Sequence, residues 1–360
     1  MRRGHGIVLC GGGTGGHIMP GLALAAACRA LGAEDVRWIG DPDRLEAQLV
    51  PQANIPLLPW GLSRPRLRSP RWWMQALRRA WHCWRSMRTQ PPRVVVALGG
   101  YAALLPGLLA ALQRRPLVVL EQNAWPGRTN RLLARVADVV VTQFAEVERH
   151  LPRAKARRLG NPVRAFPRRL RGQDPTITVL IMGGSLSARS LNDAVSASAP
   201  ALSQIGGVRI IHLAGADDCQ RMAEVYAQHG LDAQVHAFIQ DMEPIYAAAD
   251  LALCRAGATT VAECCSCGLG AIYIPLPWAA EDHQTANARA VARVGGAVVL
   301  PQDALNAASL RYLLTRLLQD RSVLRRLGER AASIDCPQAA RRVALLCQAV
   351  VGHAKGASRW

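Results

Sequence analysis

A glycine-rich stretch near the N-terminus has residue types suited to binding a phosphorylated ligand: residues 10–17 are CGGGTGGH. The stretch follows a short apolar run and precedes a helical pattern, which predicts a strand, a loop and a helix in that order. Glycine lets the backbone approach a ligand closely, and N–H groups at a helix start favour an anion, most often a phosphate. Thr14 adds a hydroxyl, and His17 places an imidazole where the loop becomes helix. The alternative interpretation of His17 is a solvent-facing or capping histidine.

The same loop fits the G-x-G-x-x-G spacing of dinucleotide-binding proteins across residues 11–16. Asp41 lies past the second predicted strand, where a ribose-binding acid would stand, so an NAD-dependent oxidoreductase is one alternative function. The spacing alone is weak, because this strand, loop and helix unit serves many nucleotide and sugar-nucleotide enzymes. A second glycine loop at residues 183–185 and the helix that carries Glu263 have no ready role in that alternative.

A second stretch whose residue types are suited to ligand binding is RAGATTVAE at residues 255–263, which follows an apolar run. We predict a helix from about Ala258, whose first N–H groups suit a phosphate. Glu263 lies within the first two turns of that helix, where its carboxylate could accept hydrogen bonds from two neighbouring ribose hydroxyls. The alternative interpretation of Glu263 is an acid that only complements the helix dipole.

The chain is strongly basic, with 44 Lys and Arg residues against 25 Asp and Glu residues and a formal net charge of +19. Such a charge attracts phosphates, nucleic acid or anionic lipid without choosing among them. A nucleic-acid-binding protein is therefore another alternative. It would interleave basic residues along a groove or sheet, whereas the densest cluster here is one amphipathic segment with no recognisable nucleic-acid module. We do not predict a nucleic-acid partner.

That amphipathic segment, residues 60–90, contains eight arginines, five of the nine tryptophans and no acidic residue. Drawn as a helix from Pro70, it separates an aromatic face from a basic row. The aromatic face comprises Trp73, Leu77, Trp81 and Trp84, and the basic row comprises Arg71, Arg78 and Arg85. Indole rings beside guanidinium groups are typical of the headgroup level of an anionic bilayer. We predict a membrane contact here, which includes Trp72; the alternative is a helix whose tryptophans pack on the core.

The sequence predicts a cytoplasmic and at most peripheral protein. Only four apolar residues separate the basic residues 2–3 from the glycines, too few for a signal peptide, and the apolar segment 102–112 is too short to span a bilayer. Ten cysteines fit that compartment as reduced, mostly buried thiols. The C-x-x-C spacing at residues 264–267 lacks a second pair of ligands, so we expect small apolar residues on a helix rather than zinc.

Short apolar runs alternate with helical patterns along the chain, which predicts parallel sheets covered on both faces. We predict an α/β fold of two doubly wound Rossmann-like domains that face a cleft, with ligands beyond the carboxyl ends of the strands. The domains would span residues 1–163 and 164–340, with a hinge at residues 160–164 and a C-terminal helix, 341–360, packed back on the first domain. The predicted strands are residues 7–10, 36–39, 94–98, 117–120, 139–142, 176–182, 208–213, 233–238, 251–254, 271–274 and 297–300, and the first helix is 19–31.

Seven motifs together resemble the MurG family of bacterial UDP-N-acetylglucosamine:lipid I N-acetylglucosaminyltransferases, which have the GT-B fold. In chain order they are GGTGGH at 12–17, GGY at 99–101, EQN at 121–123, GNPVR at 160–164, GGS at 183–185, GATTVAE at 257–263 and HQ at 283–284. The resemblance covers about residues 5 to 350. One glycine loop could arise by chance, whereas seven ordered motifs are specific.

The resemblance implies an inverting transferase that moves GlcNAc from UDP-GlcNAc to the C4 hydroxyl of MurNAc in lipid I. The product is lipid II, made for peptidoglycan at the cytoplasmic face of the inner membrane. His17 would be the base for the acceptor hydroxyl, Tyr101 would line the acceptor side and Glu263 would bind the ribose. The implied UDP-GlcNAc contacts are Thr14, Gly15, Gly16, Asn123, Arg164, Ser185, Ile239, Ala258, Thr259, Thr260, Val261, Ala262, Glu263 and Gln284.

No Asp-x-Asp cluster lies where the diphosphate would sit, so we expect no cofactor and no essential metal. The sequence departs from the family pattern at two places. Leu186 and Ser187 replace the Gln-Gly of many relatives, which removes a side-chain amide contact to the donor, and Leu120 replaces a histidine before the EQN motif. A related glycosyltransferase with another lipid acceptor is a further alternative.

Overall fold

The computed structural model describes residues 5–62, 68–152, 155–164, 166, 176–184 and 188–356. The chain divides into two compact units. Unit 1 consists of Met1–Arg164 with Cys336–Trp360, and unit 2 consists of Ala165–Asp335.

Unit 1 is built on a seven-stranded sheet in which every strand pair is parallel, in the order β3-β2-β1-β4-β5-β6-β7. The central strands are apolar runs with both faces covered, as a parallel sheet between helices requires. The strands are β1 (His5–Gly11), β2 (Val36–Ile39), β3 (Leu57–Leu58), β4 (Pro92–Gly99), β5 (Leu117–Glu121), β6 (Val139–Thr142) and β7 (Ala156–Arg158).

Helices alternate with these strands along the chain. They are α1 (Gly15–Ala30), α2 (Glu46–Gln52), α3 (Pro70–Thr89), α4 (Tyr101–Leu112), α5 (Arg128–Leu133) and α6 (Ala145–Glu148).

Unit 2 repeats the plan with six parallel strands in the order β10-β9-β8-β11-β12-β13. The strands are β8 (Ile177–Met182), β9 (Val208–Leu213), β10 (Asp232–His236), β11 (Leu251–Cys254), β12 (Ala271–Tyr273) and β13 (Ala297–Val299). The helices are α7 (Ala188–Leu202), α8 (Cys219–Gln228), α9 (Glu243–Ala248), α10 (Ala258–Cys267), α11 (His283–Arg293), α12 (Ala307–Leu318) and α13 (Arg321–Ala332), with 3-10 helices at Ala280–Asp282 and Gln302–Ala304.

The last helix, α14 (Ala339–Gly356), lies in unit 1. Its buried residues Val343, Ala344 and Cys347 belong to the same core cluster as Leu24 and Cys28 of α1. The C-terminal segment thus covers part of the sheet formed by the N-terminal half of the chain.

The predicted fold class of two Rossmann-like parallel sheets is confirmed, and the predicted strands are present within two residues at either end. Two edge strands, β3 and β7, were missing from the prediction because they are only two and three residues long. The predicted start of the first helix at residue 19 was wrong. The helix begins at Gly15, because Thr14 takes extended angles (φ −143°, ψ 155°) and forms the N-cap.

The predicted role of the cysteines in α10 is also confirmed. Cys264, Cys265 and Cys267 are buried free thiols on that helix. Among the residues that the structure describes, no group of three or more His, Cys, Asp or Glu side chains is arranged to hold a metal ion.

Candidate active site

In unit 1 the motif residues lie at the carboxyl ends of three neighbouring strands, β1, β4 and β5. These strands end at Gly11, Gly99 and Glu121. Strand order reverses at β1, which pairs with β2 on one side and β4 on the other. Such a switch point is where ligands bind in open parallel sheets.

The glycine loop after β1 is folded around a buried carboxylate of its own unit. Gly12 and Gly13 have φ values of 153° and 88°, which favour glycine. The N–H of Gly13 donates to Oε2 of Glu46 over 2.8 Å, and Glu46 has no exposed surface. The N–H of Gly13 is therefore used within the protein, and the anion site expected at the helix start falls to the residues after it.

The start of α1 keeps the geometry of an anion site further along the loop. Thr14 is exposed and its side chain makes no cap hydrogen bond. The N–H groups of His17 and Ile18 donate to the carbonyl of Thr14 over 3.1 and 3.2 Å. The N–H groups of Gly15 and Gly16 precede these first helical hydrogen bonds and point along the helix start, as at any helix N-terminus.

His17 lies in the first turn of α1, and its ring packs on the backbone of Gly99. A Cβ atom at Gly99 would stand 2.8 Å from Cε1 of His17 and 3.0 Å from Nδ1. Because Thr14 is the N-cap, the capping alternative for His17 is wrong. Tyr101 follows at the start of α4, two residues after Gly99, with 48% of its surface exposed.

Glu121 organises the loop after β5, and sequence reasoning assigned it no role. Its buried carboxylate accepts hydrogen bonds from the N–H and Nδ2 of Asn123, the N–H of Gly127 and Nδ2 of Asn130. Burial raises the pKa of Glu121, and these donors lower it in part. Nδ2 of Asn130 also lies 3.4 Å from the Cβ position of Gly99, so this network borders the His17 ring. The sequence feature that could have identified Glu121 is an acidic residue at the end of an otherwise apolar strand.

Unit 2 places its motifs at an equivalent switch point, between β8 and β11. Gly183 and Gly184 follow β8, whereas Ser185, Leu186 and Ser187 lie outside the described residues. After β11, Gly257 is the N-cap of α10, so the helix starts at Ala258 as predicted. The glycine loop and the helix start thus leave the sheet from adjacent strands.

The first turn of α10 carries polar groups that the hydrogen bonds of the helix itself do not use. The N–H of Val261 donates to the carbonyl of the N-cap residue, Gly257, over 2.9 Å, and the amides of Thr259 and Thr260 precede this hydrogen bond. Oγ1 of Thr259 is buried and finds no hydrogen-bond partner within the described parts of the chain. A buried hydroxyl of this kind is suited to a ligand atom.

Glu263 is half-buried one turn further along α10, and Oη of Tyr246 donates to its Oε2 over 2.8 Å. Tyr246 is buried in α9, and its hydroxyl also lies 4.0 Å from Sδ of Met182 at the end of β8. Burial and the neighbouring carboxylate raise the pKa of Tyr246, so its phenol stays protonated as the donor. Tyr246 therefore orients one carboxylate oxygen of Glu263, a contact that sequence reasoning missed.

The other predicted donor-site residues have different settings. Oε1 of Gln284 accepts from the N–H of Leu276 over 3.1 Å, which commits its oxygen to the backbone and leaves the amide NH2 as its donor. Ile239 is half-buried after β10, and Arg164 is exposed at the end of the first segment of unit 1. The side chains of Val261 and Ala262 are buried, which makes them packing residues of α10.

The amphipathic segment forms helix α3, which begins at Pro70 as predicted. Its tryptophan face does not pack on the core: Trp73, Leu77 and Trp81 are 49%, 69% and 56% exposed. Cys83 and Met87 form the buried side instead. The alternative of a core-packed aromatic face is therefore wrong for these three residues.

The remaining residues of that surface are more varied. Arg71, Arg78 and Arg85 are exposed, while Trp72 and Trp84 are half-buried. The guanidinium carbon of Arg85 lies 5.5 Å from the centre of the Trp81 ring. Within the described residues, no helix combines the length and apolar character that crossing a bilayer requires.

The dinucleotide alternative depended on a ribose-binding role for Asp41. Asp41 is 2% exposed, and its Oδ1 lies 3.7 Å from Nη1 of Arg79 and accepts from the N–H of Asp43. A carboxylate that is buried and paired in this way is not placed to meet a ribose.

Comparison with known proteins finds two family domains, one in each half of the chain. Residues 7–142 match the glycosyltransferase family 28 N-terminal domain, and residues 178–343 match the glycosyltransferase family 28 C-terminal domain. A curated relative from Alkalilimnicola ehrlichii, named UDP-N-acetylglucosamine–N-acetylmuramyl-(pentapeptide) pyrophosphoryl-undecaprenol N-acetylglucosamine transferase, is 41% identical over 95% of this chain and 98% of its own length. A relative of the same name from Bordetella pertussis is 40% identical over 95% of this chain and 97% of its own length.

Solved structures of glycosyltransferases are also similar to this chain. The crystal structure of Acinetobacter baumannii MurG has a TM-score of 0.81 and 33% identity, and the alignment covers 96% of this chain and 99% of that one. The calicheamicin glycosyltransferase CalG4, at 18% identity and a TM-score of 0.68 over 98% and 99% of the two chains, shares the fold.

Proposed function

Because the chain belongs to the MurG family within glycosyltransferase family 28, we infer that it is a UDP-N-acetylglucosamine-dependent N-acetylglucosaminyltransferase of peptidoglycan synthesis. The observation that carries this inference is 41% identity over 95% of the chain to a relative that bears that name. The acceptor is lipid I, an N-acetylmuramyl-pentapeptide on pyrophosphoryl-undecaprenol, and the product is lipid II.

The chemical step is attack by the C4 hydroxyl of MurNAc on C1 of GlcNAc. The new C–O bond forms as the bond from C1 to the UDP oxygen breaks, with inversion at C1, and the hydroxyl proton passes to a base. An alcohol is a poor nucleophile at neutral pH, and a positioned base contributes about 10²- to 10⁴-fold to such a step. UDP leaves with its electron pair, and positive groups stabilise the charge that develops.

His17 is our proposed base. Its place at the switch point of unit 1 and its packing on Gly99 support this role, because a base must be held at one position to take the proton. Tyr101 lines the acceptor side in this proposal. Asn123 contacts the GlcNAc, and Glu121 keeps it in place for that contact by accepting from the N–H and Nδ2 of Asn123.

Unit 2 holds the donor in this proposal. Glu263 accepts from the ribose hydroxyls, with Tyr246 fixing its Oε2, and Gln284 donates to the sugar through its amide NH2. Ile239 packs near the uracil. The α10 start, at Ala258, Thr259 and Thr260, lies against the nucleotide. Thr14, Gly15, Gly16, Arg164 and Ser185 approach the diphosphate and sugar.

Helix α3 is the proposed membrane contact. Exposed Trp73 and Trp81 would enter the headgroup layer, and Arg78 and Arg85 would meet anionic lipid. Each basic residue near such a surface is worth about 1 kcal/mol, so the row can hold the enzyme beside its lipid-linked acceptor. The corresponding location is peripheral, on the cytoplasmic face of the bacterial inner membrane.

Incubation with labelled UDP-GlcNAc and a lipid I analogue tests the function. We expect a labelled disaccharide on the lipid, and release of one UDP for each transfer. Transfer should persist in EDTA, because we propose that no metal is required. Tight NAD binding with no product and no response to UDP would overturn the proposal in favour of an oxidoreductase.

A further inference from the structure

Glu46 is a fully buried carboxylate at the start of α2 that takes no part in the proposed chemistry. Its two oxygens accept from two different loops: Oε2 from the N–H of Gly13 over 2.8 Å, and Oε1 from the N–H of Asp41 over 3.1 Å. Glu46 therefore ties the glycine loop after β1 to the loop after β2. Hydrogen bonds to an ionised acceptor are stronger than neutral ones.

The backbone closes around this carboxylate. A Cβ atom at Gly12 would lie 2.1 Å from Oε1 of Glu46, and one at Gly40 would lie 2.8 Å from its Cγ. Glycine at both positions thus lets the two loops contact the Glu46 side chain directly. A run of glycines has more conformational freedom to lose than any other sequence, so the loop needs such an external contact to hold one conformation.

The loop after β2 is in turn attached to α3. Nη1 of Arg79 donates to the carbonyl of Gly61 over 2.7 Å and lies 3.7 Å from Oδ1 of Asp41. The N–H of Gly61 donates to the carbonyl of Gly40 over 3.0 Å. The side chains of Arg79 and Asp41 are only 18% and 3% exposed, so this pair is shielded from solvent.

We propose that Glu46 is a positioning residue for the glycine loop, and through it for His17, and that Arg79 and Asp41 fix this support to helix α3. The relay runs from Arg79 through Asp41 and Glu46 to Gly13, four residues before His17. This inference rests on the proposed transferase function. It adds that the helix that carries the membrane surface on one side also holds the catalytic loop on the other.

Glu46→Gln tests the first link. Glutamine offers one acceptor oxygen, and its NH2 group would face an N–H donor, so one of the two loop contacts is lost. We expect kcat for GlcNAc transfer to fall at least tenfold, with a smaller rise in the Kd of UDP-GlcNAc, because Thr14, Gly15 and Gly16 of the same loop approach the donor in the proposed function. Amide hydrogen exchange across residues 10–17 should become faster. Glu34→Gln, at an exposed acid of the same unit, is the matched control and should change none of these values.

Arg79→Ala tests the second link, with a water-soluble acceptor analogue and no vesicles present. We expect kcat to fall several-fold and exchange across residues 10–17 to rise, whereas Arg88→Ala, at an exposed position of the same helix, leaves both unchanged. This arm also decides the question if Glu46→Gln does not fold.

Two failures are distinguishable. A wild-type enzyme that makes no disaccharide contradicts the proposed function. In that case amide hydrogen exchange across residues 10–17 still tests whether Glu46 and Arg79 hold the glycine loop. A wild-type enzyme that transfers GlcNAc, with Glu46→Gln and Arg79→Ala equal to it in kcat and in exchange, overturns the positioning role.

Discussion

The phenol of Tyr246 donates a 2.8 Å hydrogen bond to Oε2 of Glu263, across 17 positions of sequence. Tyr246 is buried in α9, and Glu263 is half-buried on α10. One oxygen of Glu263 is therefore oriented by the protein, and the second is the one proposed to face the ribose. Removal of the phenol should change how well the donor binds more than how fast it reacts.

Tyr246→Phe should raise the KM for UDP-GlcNAc about 10- to 150-fold with little change in kcat, since a hydrogen bond to a charged group is worth about 1.5–3 kcal/mol. Initial rates over a range of donor concentrations measure this change, and calorimetric titration with UDP measures the affinity directly. Tyr312→Phe, at an exposed tyrosine of the same unit, is the matched control. Glu263→Ala should also weaken donor binding, and the double variant should lose less than the sum of the two, because both changes remove one interaction. Full additivity would contradict the coupling.

His17→Ala should lower kcat about 10²- to 10⁴-fold, the contribution of a general base, and leave the Kd of UDP-GlcNAc nearly unchanged. Single-turnover transfer to the lipid I analogue measures the chemical step. His229→Ala, in unit 2, serves as the control for loss of an imidazole. Full activity of the His17 variant would end its role as the base.

Gly99→Ala should displace the His17 ring although His17 itself is not substituted. The new methyl group would stand 2.8 Å from Cε1 of His17, closer than carbon atoms pack. We expect kcat to fall at least tenfold with donor affinity retained. Gly32→Ala is the matched control, because Gly32 also has a positive φ (85°, against 103° at Gly99) but faces open space. Equal activity losses in the two variants would show that backbone strain alone is responsible.

The double charge reversal Arg78→Glu and Arg85→Glu should weaken binding to vesicles that contain anionic lipid by at least tenfold, since each basic residue near the surface contributes about 1 kcal/mol. Trp81→Ala should weaken binding to anionic and neutral vesicles alike, because it removes a 56% exposed indole. Co-sedimentation measures both effects. Arg311→Glu with Arg316→Glu reverses the same charge on exposed positions of α12 and should bind vesicles much more tightly than the α3 variant. Equal losses would mean that total charge, not α3, governs attachment.

A buried histidine should make unit 2 less stable in mild acid. Nε2 of His212 donates to Oδ1 of Asn192, whose Nδ2 donates to the carbonyl of Ala214, so Nδ1 of His212 accepts from Oη of Tyr226. Burial lowers the pKa of His212 from 6.5 to about 4. Because the pKa of His212 is lower in the folded protein, its contribution to the free energy of unfolding is fully present above about pH 6.5. It is lost at lower pH, where His212 binds a proton in the unfolded chain but not in the folded one. The loss between pH 7.5 and pH 5 is about 2 kcal/mol.

Urea unfolding at pH 7.5 and pH 5 measures that loss. His212→Gln should be less stable at pH 7.5 but should show a smaller difference between the two pH values, whereas His229→Gln keeps the full difference. An unchanged pH dependence in the His212 variant would contradict the assignment.

Several features of this protein follow from local sequence. Apolar runs such as residues 117–120 form buried parallel strands, because only a strand with both faces covered is apolar throughout. The starts of α3 and α10 were also predictable, because Pro70 suits the first turn of a helix and Gly257 marks the loop before α10. The family itself could be identified from seven ordered motifs.

Only the tertiary structure shows which hydrogen bonds position the residues of the candidate site. Glu46 lies 33 positions from Gly13 and Tyr246 lies 17 positions from Glu263, and no periodicity connects residues so far apart. It also decided that the tryptophan face of α3 is exposed, that Val261 and Ala262 are packing residues, and that Asp41 pairs with Arg79. The physical reason is that sequence patterns constrain one element at a time, whereas burial and the partner of each polar group depend on which elements the fold brings together.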